Sequence, residues 1–128
     1  MGYRIVRPDE LEWVTRPHEP GEPARRVAEL GDRLGFEHTR GNLWRYEPGA
    51  QGKRHRHEAQ EETFVVLSGM LSTYLGEPPE RVDVPVGGAL TVEPGTPLQS
   101  ANHGDEELVV YAYGAPPDWG AEVLESAI

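Results

Sequence analysis

The sequence has no cysteine, which excludes disulfides, thiolate metal ligands and a cysteine nucleophile. It leaves the compartment open, since secreted proteins without disulfides exist. No apolar run approaches the roughly 20 residues needed to cross a bilayer. The N-terminus, Met1-Gly2-Tyr3-Arg4-Ile5-Val6-Arg7-Pro8, has neither the apolar stretch nor the small-residue cleavage site of a secretory leader. The expectation is a cytoplasmic protein with no membrane partner. There is no Gly-rich phosphate loop between a strand and a helix, and no nucleophile elbow. Internal repeats and low-complexity tracts are missing as well.

Positive charge is scarce after position 57, where Arg81 stands alone against 13 acids. Residues 1–57 carry 11 basic and 9 acidic residues, and the whole chain has a formal net charge of −10. An acidic protein without a basic face repels a phosphate backbone, so no nucleic-acid partner is expected. The uneven split has two readings. Either an Arg-rich N-terminal arm lies across the acidic remainder, in its own chain or a partner's, or the charges are simply solvated.

What is present is punctuation: 15 Gly and 12 Pro in 128 residues. That length fits one domain with a single modest core, and the turn residues suit short strands better than helices. Residues 1–41 read as an N-terminal arm and connector of that domain, 42–115 as its barrel and 116–128 as a C-terminal tail. Within the arm, residues 3–14 suggest an added strand, 16–24 an extended Pro-rich connector, and Arg25–Leu34 a helical turn or two. From Asn42 strands are expected at Leu43–Glu47, His55–His57, Glu62–Ser68, Met70–Leu75, Arg81–Val84, Ala89–Glu93, Leu98–Asn102 and Glu107–Tyr113. Such spacing, with turn signals between, means an all-β sandwich or barrel. Ala121–Ser126 reads as one helical turn or a frayed end.

Alternation along Glu62–Ser68 puts Glu62, Phe64 and Val66 on one side, and Thr63, Val65 and Leu67 on the other. Both sides are largely apolar, so both need cover. One is the barrel interior; the other requires the arm or a second subunit, hence an expected homodimer.

The run that carries chemistry is Gly49-x5-His55-x-His57-x4-Glu62-x6-Gly69. Histidines at i and i+2 of a strand point to one face, and Glu62 opens the next strand toward the same interior. Two imidazoles and a carboxylate form a facial set with open positions, suited to divalent Fe, Mn, Zn or Ni. The other reading is a metal-free hydrogen-bonded cluster, because a buried carboxylate needs some partner. Lys53, Arg54 and Arg56 either attract an anion to the barrel mouth or are solvated loop charges and partners of Glu58 and Glu61. Trp44, Tyr46, Tyr111 and Tyr113 either line a pocket or pack the core. His18 and His38 read as surface residues.

This run resembles the first motif of the cupin superfamily at every spaced position. A second motif follows as Gly87-x5-Glu93-x-Gly95-x2-Leu98-x3-Asn102, with Gly87, Gly95 and Asn102 matching. Glu93 stands where the family has Pro, and Leu98 where it has its third metal-binding His. The resemblance implies a double-stranded β-helix (jelly-roll) barrel with a divalent metal inside at His55, His57 and Glu62. It implies chemistry such as dioxygenation, isomerisation, epimerisation or decarboxylation, alongside non-catalytic ligand binding, and fold alone does not choose. If Leu98 points inward, Ser100 and Asn102 do too, while Gln99 and His103, the possible substitute ligands, point out. Three functions follow: a metal-dependent cupin acting on a small molecule, a metal-free small-ligand sensor or carrier, or a structural dimerisation module.

Overall fold

The computed structural model describes residues 2–118 and 120–128. After a 3-10 turn at Pro8–Glu10 the strands are β1 (Val14–Thr15), β2 (Arg25–Glu29), β3 (Arg40–Tyr46), β4 (His55–Arg56), β5 (Glu61–Ser68) and β6 (Met70–Leu75). They continue as β7 (Glu80–Pro85), β8 (Ala89–Val92), β9 (Leu98–Ala101), β10 (Leu108–Ala115) and β11 (Glu122–Val123), with one helical turn, α1, at Gly31–Leu34. All pairings are antiparallel. One sheet has the order β1-β2-β3-β10-β5-β8 and the other β11-β4-β9-β6-β7.

The two sheets close over one core. Phe64 and Val66 of β5 meet Leu108, Val110 and Ala112 of β10 and Leu71, Val84 and Leu98 of the facing sheet. The alternation expected along β5 holds, with Phe64 and Val66 buried while Leu67 on the opposite face is 51% exposed. Gly69 joins the sheets at φ +78, and a Cβ there would stand 2.8 Å from the Glu107 carbonyl oxygen. Only glycine fits that backbone approach.

The two ends of the chain correct the reading from sequence. Arg25–Glu29 is a strand and not a helical turn; only Gly31–Leu34 is helical, stopped at Gly35 with φ +60. The open edge of β3 takes Arg25–Glu29 in register, Arg25 opposite Tyr46 and Val27 opposite Trp44. Burying Val27 and Ala28 outweighs a weak helical preference. The tail likewise forms a strand, with Glu122 opposite Arg56 and Val123 opposite His55. The arm extends the β3 edge, and its Trp13 ring lies against the Arg45 guanidinium. Among the described residues, Arg7–Glu10, Arg26–Glu47 and Arg33–Glu12 pair within the N-terminal half, while Arg45–Glu107, Arg54–Glu77 and Arg56–Glu122 link the basic and acidic halves. No described helix is long and apolar enough to cross a membrane.

Candidate metal centre in the barrel cavity

Between the sheets lies a cavity of about 220 Å³. Its floor is apolar (Phe64, Leu71, Leu98, Leu108, Val110), one wall is Trp44 and Tyr46, and His55, His57 and Glu62 face it together. Strand geometry brings them there. His55 and His57 flank Arg56, which turns outward to Glu122 at 2.8 Å, and their rings meet edge to face with centroids 5.2 Å apart. Glu62 enters from β5 on the face shared with Phe64, as alternation requires. The His57 carbonyl accepts from the Gly95 amide at 2.7 Å, so the turn before β9 fixes this ligand's backbone.

One donor atom from each of His55, His57 and Glu62 lies within 4.8 Å of the others. Glu62 Oε1 is 3.4 Å from His57 Nε2 and 3.8 Å from His55 Nε2. At these separations the contacts are electrostatic and not good hydrogen bonds. Donors about 2.0–2.2 Å from one ion are themselves roughly 3–3.5 Å apart, close to the separations of Glu62 Oε1 from the two rings. His55 Nδ1–H donates to the Lys53 carbonyl at 2.9 Å, which leaves the Nε2 lone pair facing Glu62.

Two features show that the donor set suits a cation. Nε2 of His57 and Oε1 of Glu62 face each other, both buried without a hydrogen-bond partner, a costly arrangement unless a cation sits between them. Burial alone would raise the Glu62 pKa, but the adjacent His55 and His57 outweigh it and hold the carboxyl at about 2. Glu62 is therefore an anion at neutral pH. Burial would lower the His55 pKa, yet Glu62 and the Lys53 carbonyl raise it on balance.

The other candidates separate cleanly. Leu98 is buried, lines the cavity and sits opposite His55 in the β4–β9 pair, where it offers no ligand atom. Gln99 points away from the cavity, as alternation predicts, and binds the Gly52 carbonyl, Ser126 and the Ala127 amide. His103 hydrogen-bonds the Tyr74 hydroxyl at 2.9 Å. Neither joins the set of three. Asn102 is a clamp that donates to the Tyr46 and Glu106 carbonyls and accepts from the Gly104 amide. Trp44 and Tyr46 line the cavity, whereas Tyr111 and Tyr113 stack on each other at 5.2 Å.

Reading from sequence missed two groups. Asp118 Oδ2 stands 3.9 Å from His57 Nδ1, the side of the ring turned from Glu62, where a carboxylate orients a ligating imidazole. The Gly120 amide holds the Asp118 pKa below its usual value. Arg16, Arg25 and Arg40 also reach the cavity. Reading Arg25–Leu34 as helix concealed the alternation that aims Arg25 inward; nothing in the sequence around Asp118 marks it.

Comparison with known proteins agrees with this geometry. The family model described as a cupin domain matches residues 42–113, more than half of the chain. An uncharacterized conserved protein with a double-stranded β-helix domain from Klebsiella pneumoniae superposes with a TM-score of 0.72 at 26% identity, covering 96% of this chain and 98% of its own. A sugar phosphate isomerase of the cupin superfamily from Silicibacter pomeroyi gives 0.74 at 23% identity, over 88% of this chain and 76% of its own. The polyketide cyclase RemF of Streptomyces resistomycificus gives 0.78 at 17% identity, over 96% and 86%. Comparison with curated proteins finds no match. Two closed antiparallel sheets, both motif regions inside the matched segment and a His-His-Glu set facing the interior lead to one conclusion: the chain belongs to the cupin domain family.

Proposed function

We propose that this protein is a small metal-binding cupin that takes a small organic molecule into its barrel, with a divalent ion held by His55, His57 and Glu62. The observation that carries the reading is the cluster of buried, unpartnered donor atoms on His57 and Glu62 beside an aligned His55. A bound ion would supply Lewis acidity and open positions for water, oxygen or substrate. The chain's own residues do the rest. The Lys53 carbonyl fixes the His55 ring, ionised Glu62 supplies negative charge, and Leu71, Leu98 and Leu108 give the cavity an apolar lining. Leu98, in place of a fourth ligand, favours a second reading in which the same cavity binds a small ligand without metal.

Elemental analysis of the purified, untagged protein tests the two. About one ion per chain, lost in His57→Ala and Glu62→Ala with the fold retained, is the expected result. Metal retained in both variants contradicts it. No metal in the unmodified protein but full occupancy in Leu98→His supports the second reading.

We also propose that the chain works as a homodimer. Val65, Leu67, Tyr111 and Tyr113 leave the outer face of β5 and β10 partly apolar, with Leu67 51% and Tyr113 39% exposed. Light scattering should give twice the chain mass, falling to one chain mass in Leu67→Lys. A monomeric unmodified protein refutes it.

A further inference from the structure

Cations near the site fall into two sets. Arg54 and Arg56, which flank His55, are committed to structure: Arg54 is buried against Glu77 at 2.9 Å and the Gly76 carbonyl, and Arg56 holds Glu122. Arg16, Arg25 and Lys53 line the cavity instead, and among the described residues none has a carboxylate within 4.0 Å. Glu62 is the one acid among the residues lining the cavity. A chain with a formal net charge of −10 thus surrounds a cavity whose own lining is cationic.

Arg25 is the best placed of the three. It faces inward beside Tyr46, with its guanidinium 5.2 Å from the Trp44 ring centre and 5.9 Å from that of Tyr46. Gly52 makes room for the Tyr46 hydroxyl beside it, since a Cβ there would stand 2.8 Å from that oxygen. The guanidinium hydrogen-bonds the Tyr46 hydroxyl, and its other N–H groups match an oxyanion in a two-point contact. Partial burial strengthens that attraction relative to water. Beside it lies the apolar lining of Leu71, Leu98 and Leu108, in a cavity of about 220 Å³.

We propose that this cavity selects small organic anions, whose carboxylate or phosphate group is bound by Arg25 with Arg16 and Lys53 and whose apolar body rests on Leu71, Leu98 and Leu108. The inference rests on the cavity being the working site. It does not require the ion, because the cations lie outside the donor set. Arg16 and Arg25 precede the segment matched by the family model, and Lys53 lies within it.

The test is calorimetric titration of the chelator-treated protein with benzoate, phenyl phosphate and benzamide, repeated with Arg25→Gln, Arg16→Gln and Lys53→Gln. At least one anion is expected to bind about tenfold more tightly than benzamide, the better of the two identifying the oxyanion. Arg25→Gln should remove that preference and leave benzamide unchanged. Arg16→Gln and Lys53→Gln, at exposed positions, should each weaken the anion about threefold, which keeps the proposal open to refutation if Arg25→Gln does not fold. Benzamide binding as tightly as both anions, no anion binding at millimolar concentration, or anion affinity unchanged in the folded arginine and lysine variants overturns the proposal. Metal content of the same samples before chelation separates the two readings. Anion preference without metal refutes only the metal centre, and metal without anion preference refutes only this inference.

Discussion

His55 and Glu62 make opposite demands on the proton. Without an ion, Glu62 favours protonated His55, whose pKa is raised. That contribution to stability is complete below the unfolded value of about 6.5 and is lost as pH rises through the folded one. Glu62, held at about 2, stabilises the fold above its unfolded value of about 4.3 and loses that contribution as pH falls toward 2. The ion-free site therefore contributes most between roughly pH 4.3 and 6.5. A metal needs neutral imidazoles, so it must displace the proton that Glu62 retains. Thermal stabilisation by added Mn(II) or Zn(II) should be small at pH 5.5 and grow toward pH 8, with affinity rising up to about tenfold per unit while one proton is released. Melting curves with and without the ion measure this. A shift independent of pH would mean that the ion binds elsewhere.

At the level of elements, the ligand strand is the exposed part of the design. β4 has only two residues, and His55 is held between Leu98 on β9 and Val123 on β11. The tail that supplies β11 is anchored by Leu124 to the Arg54 carbonyl at 2.7 Å and by Ala127 to buried Gln99 at 2.7 Å. Deleting residues 121–128 should cost about 2–4 kcal/mol in urea unfolding, since several hydrogen bonds worth ~1 kcal/mol each go and Gln99 loses partners. It should also weaken metal binding, because β4 then has one neighbour; a tail that only covers the surface would leave affinity unchanged. This dependence was not legible in the sequence. The tail has no alternation to announce a strand and becomes one only because β4 offers an unpaired edge. Arg25–Glu29 was misread for the same reason: pairing with β3, absent from any local signal, decides its conformation. The central strands were legible because turn residues bound them and their apolar alternation is read against a core. His55, His57 and Glu62 were legible because a period of two fixes their side, whereas Asp118 reaches His57 through the fold of the tail alone.

Over the whole molecule, one charge distribution gives salt two opposite effects. Net repulsion from −10 charges destabilises the compact state and is screened by salt. Against it stand, among the described residues, ion pairs joining the basic and acidic halves, of which Arg45–Glu107 and Arg56–Glu122 are exposed and worth about 0–1 kcal/mol each. Arg54–Glu77 has a buried guanidinium at 2.9 Å and is screened less. Repulsion spread over many surface acids therefore loses more to salt than these few attractions do. The urea midpoint should rise between 0.02 and 0.3 M sodium chloride, by roughly the worth of one or two exposed pairs. Anion binding should move the other way, since Arg25, Arg16 and Lys53 attract their ligand through the same screened field. If both quantities fell with salt, the attractive pairs would dominate the fold; if both rose, the cavity would not be working as a cationic site. Opposite signs in a single salt series would place the positive charge at the cavity and the repulsion on the rest of the surface.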